Sequence, residues 1–370
     1  MMMTSEPWVP FQTIISPPKF RKMKNYTFLI IISFCILLGC NKPENISKIE
    51  AESTSEVLKI KKQSVVFIAG FDEDEDGNNY YANAKAHFKG GKMRIVEDSF
   101  SLEEIMEWLS TNTDQGRYDE IHIVSHSNAW RGMSMQTSRE GTRITKKTLS
   151  EALEKKTLPT LDNRVTKKTQ IIFHSCGLGE NKDLLQLLKV AFSSEQMPQI
   201  YASPYFNVFG GRYASHYLAN PYYVYYPTAH SKGPKALAEE IERSYPTVKM
   251  EWLNAIKSSG ETKLGTAYSY RFNIPVDWEF TFEKGEVLSE LNNRETIMDW
   301  IAENEGVSMA LYEMGIPIEK FRWTSSSSEN ILSIKGKTTI ICVLQPITNC
   351  NDDSEYEIPN INDSQLYTCI

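Results

Sequence analysis

The sequence has no apolar run long enough to cross a bilayer as a helix. The run Phe28 to Leu38 holds 11 residues and is interrupted by Ser33, where a spanning helix needs roughly 20. It has no cluster of lysines and arginines of the nucleic-acid kind. With 40 Lys and Arg against 47 Asp and Glu, the formal charge is −7, and a net anion is repelled by phosphate backbones. Nucleic acid is therefore not expected as a partner. Cysteine is sparse, six in 370 residues, and no CxxC pair occurs. A zinc site built from His126, His174 and Cys176 thus has little support, and no metal or other cofactor is expected.

What is present begins with a secretion signal. Lys19, Arg21, Lys22 and Lys24 precede the 11-residue apolar run, in the order of a signal peptide. The run ends Leu37-Leu38-Gly39-Cys40, which resembles the lipobox of bacterial lipoproteins. That resemblance implies cleavage before Cys40, lipidation of Cys40, and a membrane-anchored place in a bacterial cell envelope, at the outer membrane. Met23 heads the signal, so residues 1–22 read as an over-called start. Removal of residues 1–39 leaves 370 − 39 = 331 residues and takes away four basic residues and Glu6, so the charge becomes −7 − 3 = −10. Residues 40–62 are polar and read as a tether. Of the remaining cysteines, Cys350 and Cys369 lie in a polar tail, 348–370, and are candidates for a disulfide in an oxidising compartment. Cys342 reads as a buried strand residue, which leaves Cys176 without a structural partner.

From Ser64 the chain alternates short β-branched runs with amphipathic helices. Strands are expected at Ser64–Gly70, Met93–Val96, Tyr118–His126, Gln170–Gly177 and Gln199–Ser203. Helices are expected at Tyr80–Phe88, after the capping box Ser101-Leu102-Glu103-Glu104, over Lys146–Lys155, and around Leu184–Val190. Such alternation predicts an α/β fold with a mainly parallel sheet covered by helices, spanning 63–232. Residues 233–347 read as a smaller α+β unit. It has a helix over Pro234–Tyr245, period-two strands from Tyr268, a helix over Glu295–Met314, and a hairpin from Asn330 to Pro346 turning at Gly336. The tyrosines at 213, 217, 222, 223, 225 and 226 suit either a packed strand or a binding groove, the strand being preferred. Asp72 to Gly77 begins like an EF-hand loop, but position twelve is Asn83 and a strand precedes it. A solvated acidic loop fits better than a calcium site.

The chemistry concentrates at two strand ends, Ile121-His122-Ile123-Val124-Ser125-His126-Ser127 and Ile171-Ile172-Phe173-His174-Ser175-Cys176-Gly177. In open α/β sheets, functional groups sit just outside the carboxyl ends of strands. His126 precedes Cys176 by 176 − 126 = 50 residues, the order and separation seen in caspases. From Ser64 to Gly211 the chain resembles the caspase-like fold of the clan that holds caspases, legumains, gingipains, clostripain and separase, with the bacterial CHAT domains. It is most similar to a bacterial domain family of unknown function with a His strand and a Cys strand of these forms. The resemblance implies a cysteine endopeptidase acting on protein or peptide, with His126 as general base and Cys176 as nucleophile. It also implies backbone N–H groups of Ser127 and Gly177 binding the oxyanion. The family has Gly where this chain has Ser127, a departure that also suits a catalytically inactive binding module. A non-peptidase thiol hydrolase or acyltransferase would use the same dyad. His122 and His174 read as structural, with His174 on the face of Cys176 by period two.

Overall fold

The computed structural model describes residues 63–72, 79–91, 93–112, 116–128, 130–283, 291–328, 330–349 and 352–370. The signal, Cys40, the tether, residues 73–78 of the acidic loop and Cys350 lie outside the described residues. The chain runs β1 (Ser64–Ile68), α1 (Tyr80–Gly90), β2 (Arg94–Val96), α2 (Leu102–Thr111) and β3 (Glu120–Val124). A small hairpin, β4 (Ser127–Asn128) with β5 (Gly132–Met133), precedes α3 (Lys146–Glu154), β6 (Gln170–His174), α4 (Lys182–Phe192) and β7 (Gln199–Ala202). Then come β8 (Phe206–Phe209), β9 (His216–Pro227), α5 (Pro234–Ser244), α6 (Trp252–Lys257) and β10 (Tyr268–Thr281). The last stretch holds α7 (Arg294–Glu303), α8 (Glu305–Met314), β11 (Arg322–Ser328), β12 (Ile331–Pro346), β13 (Thr348–Asn349), β14 (Asp352–Tyr356) and β15 (Thr368–Cys369).

Two sheets organise one unit, Lys59–Ile370. The first has the order β15-β7-β6-β3-β1-β2, with β1, β2, β3, β6 and β7 parallel and β15 antiparallel at the edge. Its strands are almost continuously apolar because both faces are covered. Val65, Phe67, Ile121, Ile123, Ile171 and Phe173 pack in the cluster that also takes the buried faces of α2, α3 and α4. Val66, Ile68 and Val124 point the other way, to Tyr80, Tyr81, Ala84 and Phe88 of α1. Each such side chain contributes about 1.5–3 kcal/mol by leaving water. The expected capping box forms: Ser101 accepts from the Glu104 N–H, and the Glu104 carboxylate accepts from the Ser101 N–H. Because β2 and β3 flank β1 on opposite sides, the strand order reverses there.

The second sheet, β10-β12-β9-β8 with β11 also paired to β12, is antiparallel. It begins at β8, so the Tyr222–Tyr226 stretch belongs to it and packs as a strand. The hairpin expected at Gly336 does not form. β12 runs straight through, with Gly336 opposite Val276 and Trp323. A Cβ there would lie 2.4 Å from the Trp323 ring, so this glycine serves close approach rather than a turn. The single helix expected over Glu295–Met314 is broken at Asn304, whose side chain caps α8 by accepting from Val307 N–H. The residues read as a polar tail fold back on the first sheet. β15 pairs with β7, and Leu366 and Tyr367 are buried against Ile172 and Tyr201.

Candidate functional site

β3 and β6 are neighbours in parallel register, with Ile123 opposite Phe173 and Val124 opposite His174. The Ser125 N–H still donates to the His174 carbonyl at 3.3 Å, and the Ser127 hydroxyl donates to the Cys176 carbonyl at 2.6 Å. The pairing ends there, and two residues on the chain reaches His126 after β3 and Cys176 after β6, His126 against α1 and Cys176 against the second sheet.

His126 leaves β3 between two tyrosines of α1. The Tyr80 ring stacks on it at 4.3 Å, and the Tyr81 ring meets it edge-on at 4.8 Å. Its N–H donates to the Tyr81 oxygen at 3.1 Å, and its carbonyl accepts from Ser134 N–H at 2.8 Å. Burial holds its pKa down at about 4, with the nearby Asp72 charge opposing the shift. The imidazole is therefore neutral at physiological pH, the form a base requires. Beside it, at the reversal of strand order, opens a cavity of about 570 Å³. Ala69, Gly70, Phe71 and Asp72 after β1 line it, with Phe100, Tyr81, His126 and Ser134–Gln136. Phe71 is 72% exposed at its rim and stands 6.2 Å from Phe100. Both Asp72 carboxylate oxygens accept N–H groups at the start of α1, from Tyr81 at 3.0 Å and Ala82 at 2.9 Å.

Cys176 does not line that cavity. It is 7% exposed and packs with Phe206, Tyr217, Ala219, Cys342 and Leu344 of the second sheet. Its thiol donates to the Asn207 carbonyl at 3.8 Å, and burial pushes its pKa up to about 12. No hydrogen bond joins it to the His126 ring among the described residues. The pair rests as neutral thiol and neutral imidazole. Gly177 has φ +70°, a turn glycine adopts freely, and its N–H donates to the Tyr205 carbonyl at 3.1 Å. That donor, expected to serve an oxyanion, is occupied in this form. Ser127 sits in the β4–β5 hairpin opposite Met133. The hairpin carries Trp130, whose ring lies 4.9 Å from Tyr223 and 5.9 Å from Phe272. The second sheet thus covers the Cys176 end of the crevice and holds the loop after His126.

Sequence reasoning missed Tyr80, Tyr81 and Asn207. The paired tyrosines opening α1 carry no recognisable motif, and Asn207 meets Cys176 only through the cross-sheet packing. Cys369 is free and exposed, and its expected partner Cys350 is outside the described residues. Among the described residues no three His, Cys, Asp or Glu side chains are grouped to hold a metal ion, and no helix is long and apolar enough to cross a membrane. No family model matches the chain, and no curated protein matches it.

Proposed function

We propose that this chain is a lipid-anchored thiol hydrolase of the caspase-like kind, a cysteine endopeptidase held in a closed resting form. Cys176 is its nucleophile and His126 its base. The observation that carries this reading is the parallel pairing of β3 and β6, neighbouring strands whose carboxyl ends lead directly into His126 and Cys176. The cavity beside His126 at the strand-order reversal supports it as the place where substrate enters. In the working form the second sheet yields at Phe206 and Tyr217. The thiol then reaches the imidazole, His126 takes its proton, and the thiolate attacks the scissile carbonyl. The carbonyl π electrons move to oxygen; as they return, the C–N bond breaks and His126 gives its proton to the leaving amine. Water deprotonated by His126 then cleaves the thioester to the acid and the free thiol. Release of Gly177 N–H from Tyr205 supplies a donor for the oxyanion. Membrane attachment through Cys40 places this chemistry at the cell envelope.

A peptide library incubated with the detergent-solubilised chain tests the reading. Turnover should fall at least about 100-fold in Cys176→Ala and in His126→Ala, and the double variant should be no worse than the worse single. Turnover unchanged in either variant refutes it. One observation favours a second reading, a catalytically inactive binding module: the thiol is buried and unactivated, at about 12. Absence of turnover, together with inert Cys176 toward peptide-borne electrophiles, would establish that alternative.

A further inference from the structure

The cover over Cys176 is fastened from outside the sheet that forms it. Tyr217 of β9 is 1% exposed and packs with Cys176 in one buried cluster. Its phenol donates at 3.0 Å to Glu261 Oε2, in the loop between α6 and β10. With that proton spent, the Tyr217 oxygen accepts from the Tyr268 phenol, also at 3.0 Å. Tyr356, the last residue of β14, lies flat on the Tyr217 ring, with centroids 4.4 Å apart and planes within 5°. It donates to the same Glu261 oxygen at 2.7 Å, while Glu261 Oε1 accepts the Gly265 N–H at 3.0 Å. One carboxylate thus joins the cover, the loop and the tail.

These three parts are not held equally. The loop is tied down twice more. Gln345 Nε2 of β12 donates to the Gly265 carbonyl at 2.7 Å, and the Tyr213 phenol donates to the Thr262 carbonyl at 3.1 Å. Among the described residues β14 pairs only with the short β13, through Thr348 with Tyr356 and Asn349 with Asp352, and the register shifts between those pairs. It joins neither large sheet. Beyond it the chain is anchored again, where Leu366 and Tyr367 are buried and β15 pairs with β7. The β13–β14 hairpin is therefore a flap between two fixed points, free to lift without breaking either sheet. Burial first, then Tyr268 and Glu261, hold the Tyr217 phenol far above its ordinary pKa; burial and then Glu261 do so for Tyr356. Both stay protonated donors across the neutral range, so the clasp opens by displacement of Tyr356.

We propose that the β13–β14 flap is an autoinhibitory latch, in which Tyr356, stacked on Tyr217 and sharing its Glu261 carboxylate, holds the second sheet closed over Cys176. Lifting the flap strips one face of the Tyr217 ring and loosens the carboxylate that pins its phenol. β9 and its partner β8 are then free to move, and with β8 goes the Asn207 carbonyl that accepts from the Cys176 thiol. The regulatory meaning rests on Cys176 being the nucleophile, but the mechanical link does not.

The test is alkylation of Cys176 by iodoacetamide in the full chain at about pH 8, with the modified peptide quantified by mass spectrometry. Tyr356→Phe keeps the stack and deletes only the bond to Glu261. It should speed alkylation about tenfold, as removal of a hydrogen bond to a charged group does. Tyr356→Ala, which also loses the stack, should speed it further. Glu261→Ala should match or exceed Tyr356→Phe, and the double variant should be no faster than Glu261→Ala, because the phenol then has no partner left to lose. The near-isosteric Tyr356→Phe carries the test if an alanine variant does not fold. Each rate is repeated in low, non-denaturing urea. A lifting flap exposes little surface, so the rates should change little. A rate that climbs with urea as steeply as global unfolding would mean a general loosening and overturns the proposal. So does a Cys176 rate unchanged in both Tyr356 variants. Peptide turnover is assayed separately. Faster labelling without turnover upholds the latch and counts against the peptidase reading alone, whereas turnover with unchanged labelling overturns the latch alone.

Discussion

Acid should weaken this fold through its buried histidines, by an amount that the structure sets. His126 is held at about 4 and His216 at about 3, in both cases chiefly by burial. An unfolded chain binds a proton at each near about 6.5. A folded-state pKa below the unfolded one means the unfolded state binds more protons. The stability these neutral rings provide is therefore complete above about 6.5, and falls as the pH drops toward about 4 for His126 and about 3 for His216. Each unit of pH within that window costs about 1.4 kcal/mol per histidine. Between pH 7.5 and pH 5 the loss is about 2 kcal/mol from each and about 4 from both, against a total stability of about 5–15 kcal/mol. Glu104, whose pKa the hydrogen bonds from the Phe100 N–H and from the hydroxyl and N–H of Ser101 lower despite burial, titrates below this window. Urea unfolding at half-unit pH steps measures the slope. His126→Gln should remove about 2 kcal/mol of the pH-dependent loss, whatever it does to stability at pH 7.5. A wild-type loss below about 1 kcal/mol over this range, or an unchanged slope in the variant, would refute buried neutral imidazoles.

Other outcomes follow from single contacts. Gly179→Ala would set a Cβ 2.5 Å from the Ala202 carbonyl oxygen and the Pro204 nitrogen. Backbone atoms cannot step aside, so chemical denaturation should show a loss of about 1–3 kcal/mol or more. Trp130→Ala removes the ring that ties the loop after His126 to Tyr223 and Phe272, and should speed alkylation of Cys176 at neutral pH. An unchanged rate would mean the hairpin does not hold the cover closed. Cys40→Ser should release the protein from the membrane fraction, because acyl methylenes at about 0.8 kcal/mol each provide the anchoring. Continued full partition with membranes would contradict the lipoprotein reading.

The first sheet was legible because a parallel strand buried on both faces must be almost wholly apolar, and Val65–Ile68, Ile171–Phe173 and, His122 apart, Ile121–Val124 are. Ser101 and Glu104 announced their helix because both halves of a capping box are local. The second sheet was less legible. Gly336 has the same local signature in a turn as in a mid-strand contact, and only the distant Trp323 ring decides between them. Asn304 breaks a helix that periodicity alone would continue, since its amide caps the next one. At the site, the two apolar runs were enough to put His126 and Cys176 just past the carboxyl ends of neighbouring parallel strands. The cover was not readable, because Phe206, Tyr217, Cys342 and Leu344 come to Cys176 from segments 30 to 168 residues away. Nor was Tyr80, whose place on the His126 ring depends on how α1 lies across the sheet.

The dyad itself is tested most directly by a peptidyl acyloxymethyl ketone, which is captured only by a thiol that a neighbouring base activates. Mass mapping after incubation of the full chain should find the adduct on Cys176 in the wild type, and at least about 100-fold less in His126→Ala. An adduct equally abundant in both proteins, or found on Cys342 or Cys369 instead, would contradict His126 and Cys176 as a catalytic pair.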